Sequence, residues 1–221
     1  PESVFEIQAQ QIEGNWGVSF SQHAEVQSVR GQWGWGFNIP TDDLAAAFDA
    51  AGDQIRKAAT ILYKGDTTPD GDIIAGVPSL EGIEGTPRYN GKAYYPPALQ
   101  LFGPYGSGQN IRVLRFSEIL LIQAEARIRQ GNASGAVEPL KLVRNRVNLP
   151  EINSPTLDDV LLERRLELAM EGDRFFDLVR TGKAASVLAS KGFVAGKHEV
   201  FAVPQELIDL SEGNLTQNPG Y

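Results

Sequence analysis

The stretch "LLERRLELAMEGDRFFDLVRTGK", residues 161–183, constrains the fold more than any other part of the chain. Thr156 and Asp159 form a capping box that starts a helix ahead of it. At helical spacing Leu157, Leu161 and Leu168 share one direction, and Leu162, Leu166 and Met170 occupy another. A helix apolar on most of its circumference is buried, so the charges it carries must be paired. One buried charge left alone costs about 3–5 kcal/mol, a large fraction of a domain's stability. The pattern therefore predicts a structural ion network of Arg164, Arg165 and Arg174 with Glu167, Glu171 and Asp177. Gly172 is expected to break this helix, and Gly182 to end the next, whose Phe175, Leu178 and Val179 face inward. The competing reading makes Glu167 and Glu171 an acid–base pair of the glycosidase kind. Arginines beside both carboxylates would keep them ionised, which is wrong for a general acid, so no catalytic residue and no enzyme is expected.

Upstream, two further helices are predicted. In "FSEILLIQAEARIRQG" Leu120, Ala124 and Ile128 lie on one face, and Gly131 closes the helix. In "NASGAVEPLKLVRNRVNLP" the face is Ala136, Leu140, Val143 and Val147. Pro139 in the second implies a late start or a bend. The pair forms a helical hairpin over residues 116–149 with the length and small-residue pattern of a tetratricopeptide repeat. One such repeat cannot bury its own apolar face, and the sequence shows no second copy.

The other half is unlike this. "SVFEIQAQ" reads as a strand, and one short helix, capped by Thr41 or Asp42, carries Leu44, Ala47, Phe48 and Ala51 and ends at Gly52. Residues 64–110 hold nine Gly and six Pro, which forbids long regular elements. The fold class is thus mainly α, with a loop-rich half at 1–115, the hairpin at 116–149, and C-terminal helices with a pinned tail at 150–221.

Several function classes drop out. A net charge of −8 argues against nucleic acid. The absence of cysteine removes disulfides and thiolate chemistry. His23 and His198 lack zinc-site spacing, "GPYGSG" is not framed as a phosphate loop, and no cofactor or metal is expected. Asp66, Asp70 and Asp72 sit close together without the calcium-loop register, and a solvated acidic turn is the plainer reading.

"ERRLELAMEGDRFFDLVRTGK", with the hairpin before it and "VFAVPQELIDLSEGNLTQNPGY" after it, resembles the C-terminal region of the SusD/RagB family. The matching features are Glu163–Arg164, Glu167–Leu168, Glu171–Gly172, Arg174, Asp177–Leu178, Arg180, the Pro204–Ile208 turn and the ending Gln217–Tyr221. "ESVFEIQ" and "GWGFNIPTDDLAAAFDAAGDQIRKAATIL" are similar to that family too. The resemblance implies a lipid-anchored, cell-surface protein of the Bacteroidetes outer membrane. Such a protein binds oligosaccharide, polysaccharide or another oligomeric nutrient without catalysis and passes it to a TonB-dependent transporter. It also implies that this is the C-terminal part of a longer chain, the anchor and further helix pairs lying on a missing N-terminal part. Family binding residues follow no shared motif, so candidates come from chemistry: rings that stack on sugars beside polar groups that bind hydroxyls. These are Trp33, Trp35 and Asn38 in "GQWGWGFN" and Arg88, Tyr89, Asn90, Tyr94 and Tyr95 in "PRYNGKAYYPP". Packing is the alternative role for either Trp, and for Tyr94 and Tyr95 beside Pro96 and Pro97. The rival function is a tetratricopeptide-type protein-interaction scaffold.

Overall fold

The computed structural model describes residues 2–10, 23–30, 32, 34–75, 88–99 and 107–221. It is mostly helical and forms two compact units, Pro1–Glu171 and Gly172–Tyr221. In order, the first unit contains strand β1 (Ser3–Ile7), helices α1 (His23–Gln27), α2 (Asp42–Ala50) and α3 (Gln54–Thr60), and strands β2 (Ile61–Tyr63), β3 (Arg88–Asn90) and β4 (Ile111–Arg115). Helices α4 (Phe116–Arg129), α5 (Ser134–Asn145) and α6 (Leu157–Glu167) follow.

Local chemistry explains most of these elements. Thr41 caps α2, its hydroxyl accepting from the Leu44 amide at 3.2 Å, and Gly52 adopts φ 69° just beyond the helix. Directly after it comes α3, which the sequence pattern does not announce. Asp53 caps it by accepting from the Arg56 amide at 3.0 Å. The chain then runs into β2, which pairs antiparallel with β3. β1 pairs antiparallel with β4, so residues at the start of the chain lie beside Arg115.

The hairpin is α4 against α5, and its core continues into α6: Leu121, Ala124, Leu140, Val143 and Val160 form one buried cluster. Within this chain the hairpin therefore stacks on α6. Helix α5 starts at Ser134, five residues before Pro139, and runs through it, so the expected late start is corrected. The Asn132 side chain accepts from the Gly135 amide at 2.9 Å and so serves the first turn of α5. The capping box of Thr156 and Asp159 opens α6 as predicted. The helix ends earlier than expected, at Glu167, and Met170 takes a left-handed φ of 68°. That conformation costs a residue with a Cβ about 1–2 kcal/mol. Leu162 is exposed, so one edge of α6 meets solvent. A separate cluster joins Phe48 of α2 and Ile61 of β2 to Leu166 and Ala169.

The second unit contains α7 (Arg174–Arg180), α8 (Ala184–Val187) and α9 (Gln205–Leu210). Its ending is clasped to the preceding turn. Gln217 accepts from the Val203 amide at 2.8 Å and donates to the Val203 carbonyl at 2.9 Å. Asn218 donates to the Phe201 carbonyl at 2.6 Å, the Tyr221 hydroxyl to the Val200 carbonyl at 3.0 Å, and the Lys197 ammonium lies 4.6 Å from the Tyr221 ring centre. The "QNPGY" ending is a fastening. Among the described residues no helix is long and apolar enough to cross a membrane.

Candidate functional site

Two features of the first unit bear on function: a buried ion network and an exposed aromatic loop. The network is built around Glu167 on the last turn of α6. One of its oxygens accepts from Arg115 at 2.8 Å and Arg146 at 3.0 Å, and the other from Arg56 at 3.1 Å. Glu171 takes a two-pronged contact from Arg115, both bonds 2.8 Å, and one from Lys92 at 2.5 Å. Glu163, outside the predicted pairing, receives Arg56 at 2.7 Å and Arg144 at 2.6 Å. Arg115 also donates to Glu2 at 2.8 Å and to the Glu167 carbonyl at 3.0 Å.

Glu167 and Glu171 also take cations from parts of the chain that the charge pattern of one helix does not name. Arg164 reaches Glu118 at 3.6 Å, Arg165 reaches Asp43, and Asp177 pairs with Arg180 of its own helix at 2.6 Å. Arg174 opens α7 in the second unit. The cations on Glu167 and Glu171 include Arg56 of α3, Arg115 of β4, Arg146 at the end of α5 and Lys92 in the turn after β3. Burial opposes ionisation of Glu167, but the Arg115 hydrogen bonds and the charges of Arg146, Arg115 and Arg56 outweigh it and hold its carboxyl at about 2. Burial likewise opposes charge on Arg115, and its bonds to Glu171 and Glu167 reverse that and raise it. A carboxylate this acidic cannot deliver a proton near neutral pH.

A pH dependence follows. The ordinary value for Glu167 is 4.5 and the folded value about 2, so the folded state favours the ionised form. Its contribution is present in full above pH 4.5 and is lost as pH falls through 2, about 3 kcal/mol in all. His23 adds loss of the same sign below its ordinary 6.5, because burial lowers its value in the fold. Urea midpoints measured from pH 7 to pH 2 are expected to fall chiefly in the lower part of that range.

The aromatic loop is shaped by its glycines. Four backbone bonds staple residues 34–37 onto α1 and the turn after it: Gly34 to Val29 at 3.0 Å, and Trp35 to Glu25, Gly36 to Ser28 and Phe37 to Val26, each at 2.9 Å. A Cβ on Gly34 would lie 2.1 Å from the Glu25 carbonyl, and Gly36 has φ 69°. The close approach turns the side chains of residues 35 and 37 outward. Trp35 is 45% exposed and Phe37 58%, edge-to-face with ring centres 6.2 Å apart. Asn38, also exposed, donates to Gln27 at 2.6 Å, and the same Gln27 oxygen accepts from Asn90 at 2.9 Å.

The remaining candidates are placed differently. Trp33 lies outside the described residues. Arg88, Tyr89 and Asn90 are the buried strand β3 rather than an exposed loop. Arg88 pairs with Asp42, Tyr89 packs with Val29, Leu62 and Ile74, and Asn90 accepts from the Lys92 amide at 3.0 Å. The Tyr94 hydroxyl is bonded to Asp72 and Thr68, and burial together with the Asp72 bond pushes its pKa up to about 12. Tyr95 is half-buried and donates to the Leu99 carbonyl at 3.3 Å. Asp66 accepts from the Tyr63 amide at 2.8 Å, and among the described residues no group of three or more acidic or imidazole side chains could hold a metal. The Phe37 ring was missed from sequence, although the glycine on its N-terminal side carries the same signal that marked Trp35.

Comparison with known proteins agrees with this architecture. The SusD-like protein P38 of Formosa agariphila is 40% identical over 92 residues, 36% of this chain and 18% of that protein. A laminarin-binding SusD-like protein superposes with a TM-score of 0.75 at 28% identity, covering 100% of this chain and 50% of that one. Surface glycan-binding protein A from Bacteroides thetaiotaomicron does so at 0.75 and 26%, covering 99% and 52%. Its complex with laminarihexaose matches equally, at 27% identity. The chain therefore spans about half the length of these structures. The model of the SusD family matches residues 100–221, more than half of the sequence, and the chain belongs to that family.

Proposed function

We propose that this chain takes part in non-catalytic glycan capture at the outer-membrane surface, and that the captured ligand passes to a TonB-dependent transporter. The observation that carries the reading is the exposed Trp35–Phe37 pair beside Asn38, in a fold shared with proteins that bind laminarin and laminarihexaose. A sugar ring has apolar C–H faces that stack on such rings, while its hydroxyls need an amide or guanidinium close by. Trp35, Phe37 and Asn38 would form the platform, and Tyr95 a flanking contact. Arg88, Tyr89 and Asn90 would support the loop from below, since Asn90 and Asn38 share Gln27. The three guanidinium groups bonded to Glu167 support a binding role over hydrolysis.

Calorimetric titration with laminarihexaose and a panel of other neutral oligosaccharides tests this. The double substitution Trp35→Ala/Phe37→Ala is expected to weaken binding at least about thirtyfold, a loss of about 2 kcal/mol, as for anchoring aromatics elsewhere. The urea midpoint should scarcely change, because both rings are exposed. Unchanged affinity would remove the loop from the site. A partner peptide bound in place of any sugar would favour the interaction scaffold.

A further inference from the structure

We propose that the cleft beside the ion network is a second carbohydrate site, which takes a neutral sugar through hydroxyl hydrogen bonds instead of ring stacking. The cleft has a volume of about 540 Å3 and lies wholly within the first unit. That is within the roughly 300–1,000 Å3 usual for small-molecule sites. The assignment goes beyond the aromatic loop and does not require it.

Charge decides the class of ligand. The cations on the walls are Arg56, Lys92, Arg112, Arg115 and Arg146. Each already has a carboxylate partner: Glu167, Glu171 or Glu2, with Arg112 3.4 Å from Glu6. An acidic ligand would have to displace one of these, and a basic ligand would have to compete with the arginines. A neutral ligand leaves every pair intact. Spare capacity nevertheless exists, since a guanidinium has five donors and Arg112 is 56% exposed at its side chain.

Unmet hydrogen bonding points the same way. Thr60 and Gln109 both line the cleft. The Thr60 hydroxyl and the Gln109 side-chain oxygen are buried and have no hydrogen-bond partner among the described residues. Buried polar atoms are nearly always satisfied, so each such atom calls for a partner. A sugar hydroxyl both donates and accepts, and can serve an amide oxygen and a threonine hydroxyl alike. Ala59, Ile111 and Met170 add apolar surface against which the C–H side of a ring can lie.

The experiment is a nuclear magnetic resonance titration of the 221-residue chain with neutral hexasaccharides of glucose, mannose, galactose and xylose, and with glucuronate. At least one neutral oligosaccharide is expected to shift the Thr60 methyl and Gln109 carboxamide signals saturably. Thr60→Val with Gln109→Leu should weaken that response at least tenfold while the Trp35 indole response stays as in the unmodified chain. The mapping on the unmodified chain stands even if the double variant folds poorly. Shifts confined to Trp35 overturn the cleft and leave the aromatic loop standing, and shifts confined to the cleft do the reverse. Response to glucuronate alone overturns the neutral assignment, and silence throughout overturns both sites.

Discussion

Glu167→Gln is expected to destabilise the chain by about 3–5 kcal/mol, the cost of removing one partner from a buried ion pair. The substitution keeps the side chain's shape and removes only its charge. Arg115, Arg146 and Arg56 all converge on that carboxylate, whose side chain is 2% exposed. Glutamine offers one acceptor oxygen where two were used, and its NH2 group faces donors. Arg115 keeps Glu171 and Glu2, and Arg56 keeps Asp53 and Glu163, so the network is weakened and not abolished. For a chain of this length the melting temperature should fall by roughly 10 °C. Urea unfolding followed by circular dichroism measures the free-energy loss, and a thermal scan the fall in melting temperature. A glycosidase would answer differently: the midpoint would hold and hydrolysis of a bound oligosaccharide would cease. A stable variant that had lost a hydrolytic activity would therefore overturn the structural role of this residue.

The sequence carried the locally determined parts of the fold well. Helix α2 with its Thr41 cap, the α4–α5 hairpin and the capping box of α6 each follow from residues within a few positions of one another. Helix α3 was illegible because seven residues give too little periodicity, and its two buried positions are Arg56 and Thr60. The pairing of Glu167 was illegible for another reason. Arg115 and Arg56 lie 52 and 111 residues away in sequence, and a charge pattern along one helix says that a partner must exist without saying which. The same holds for Arg88 and Asn90, whose polar character and Gly/Pro surroundings suggested exposure. Their burial is permitted by Asp42 and Gln27, neither adjacent in the chain. The aromatic loop was half legible, since glycine spacing marked its shape and the packing of Gly34 on α1 set which rings face outward.

Phe48→Ala is expected to cost a further 3–5 kcal/mol, the range for deleting a buried aromatic ring where the surroundings close only partly. Phe48 is wholly buried and packs with Ile61, Leu166 and Ala169, so it joins the loop-rich half to the last turn of α6. Leu166 precedes Glu167, and the ring and the ion network therefore hold the same turn from adjoining sides. A cavity there would let that turn shift and lengthen the Arg115, Arg146 and Arg56 contacts. The two losses should not add. In a double-mutant cycle of Phe48→Ala with Glu167→Gln, the combined loss is expected to fall short of the sum by about 0.5–3 kcal/mol, because either change already loosens what the other supports. Phe48→Leu, which keeps most of the volume, should cost less than about 1.5 kcal/mol and couple weakly. Strict additivity would mean that the apolar contact and the ion network stabilise α6 independently. In that case the Phe48 ring and the Arg56 and Lys92 pairs would each hold the loop-rich half to the end of α6 without help from the other.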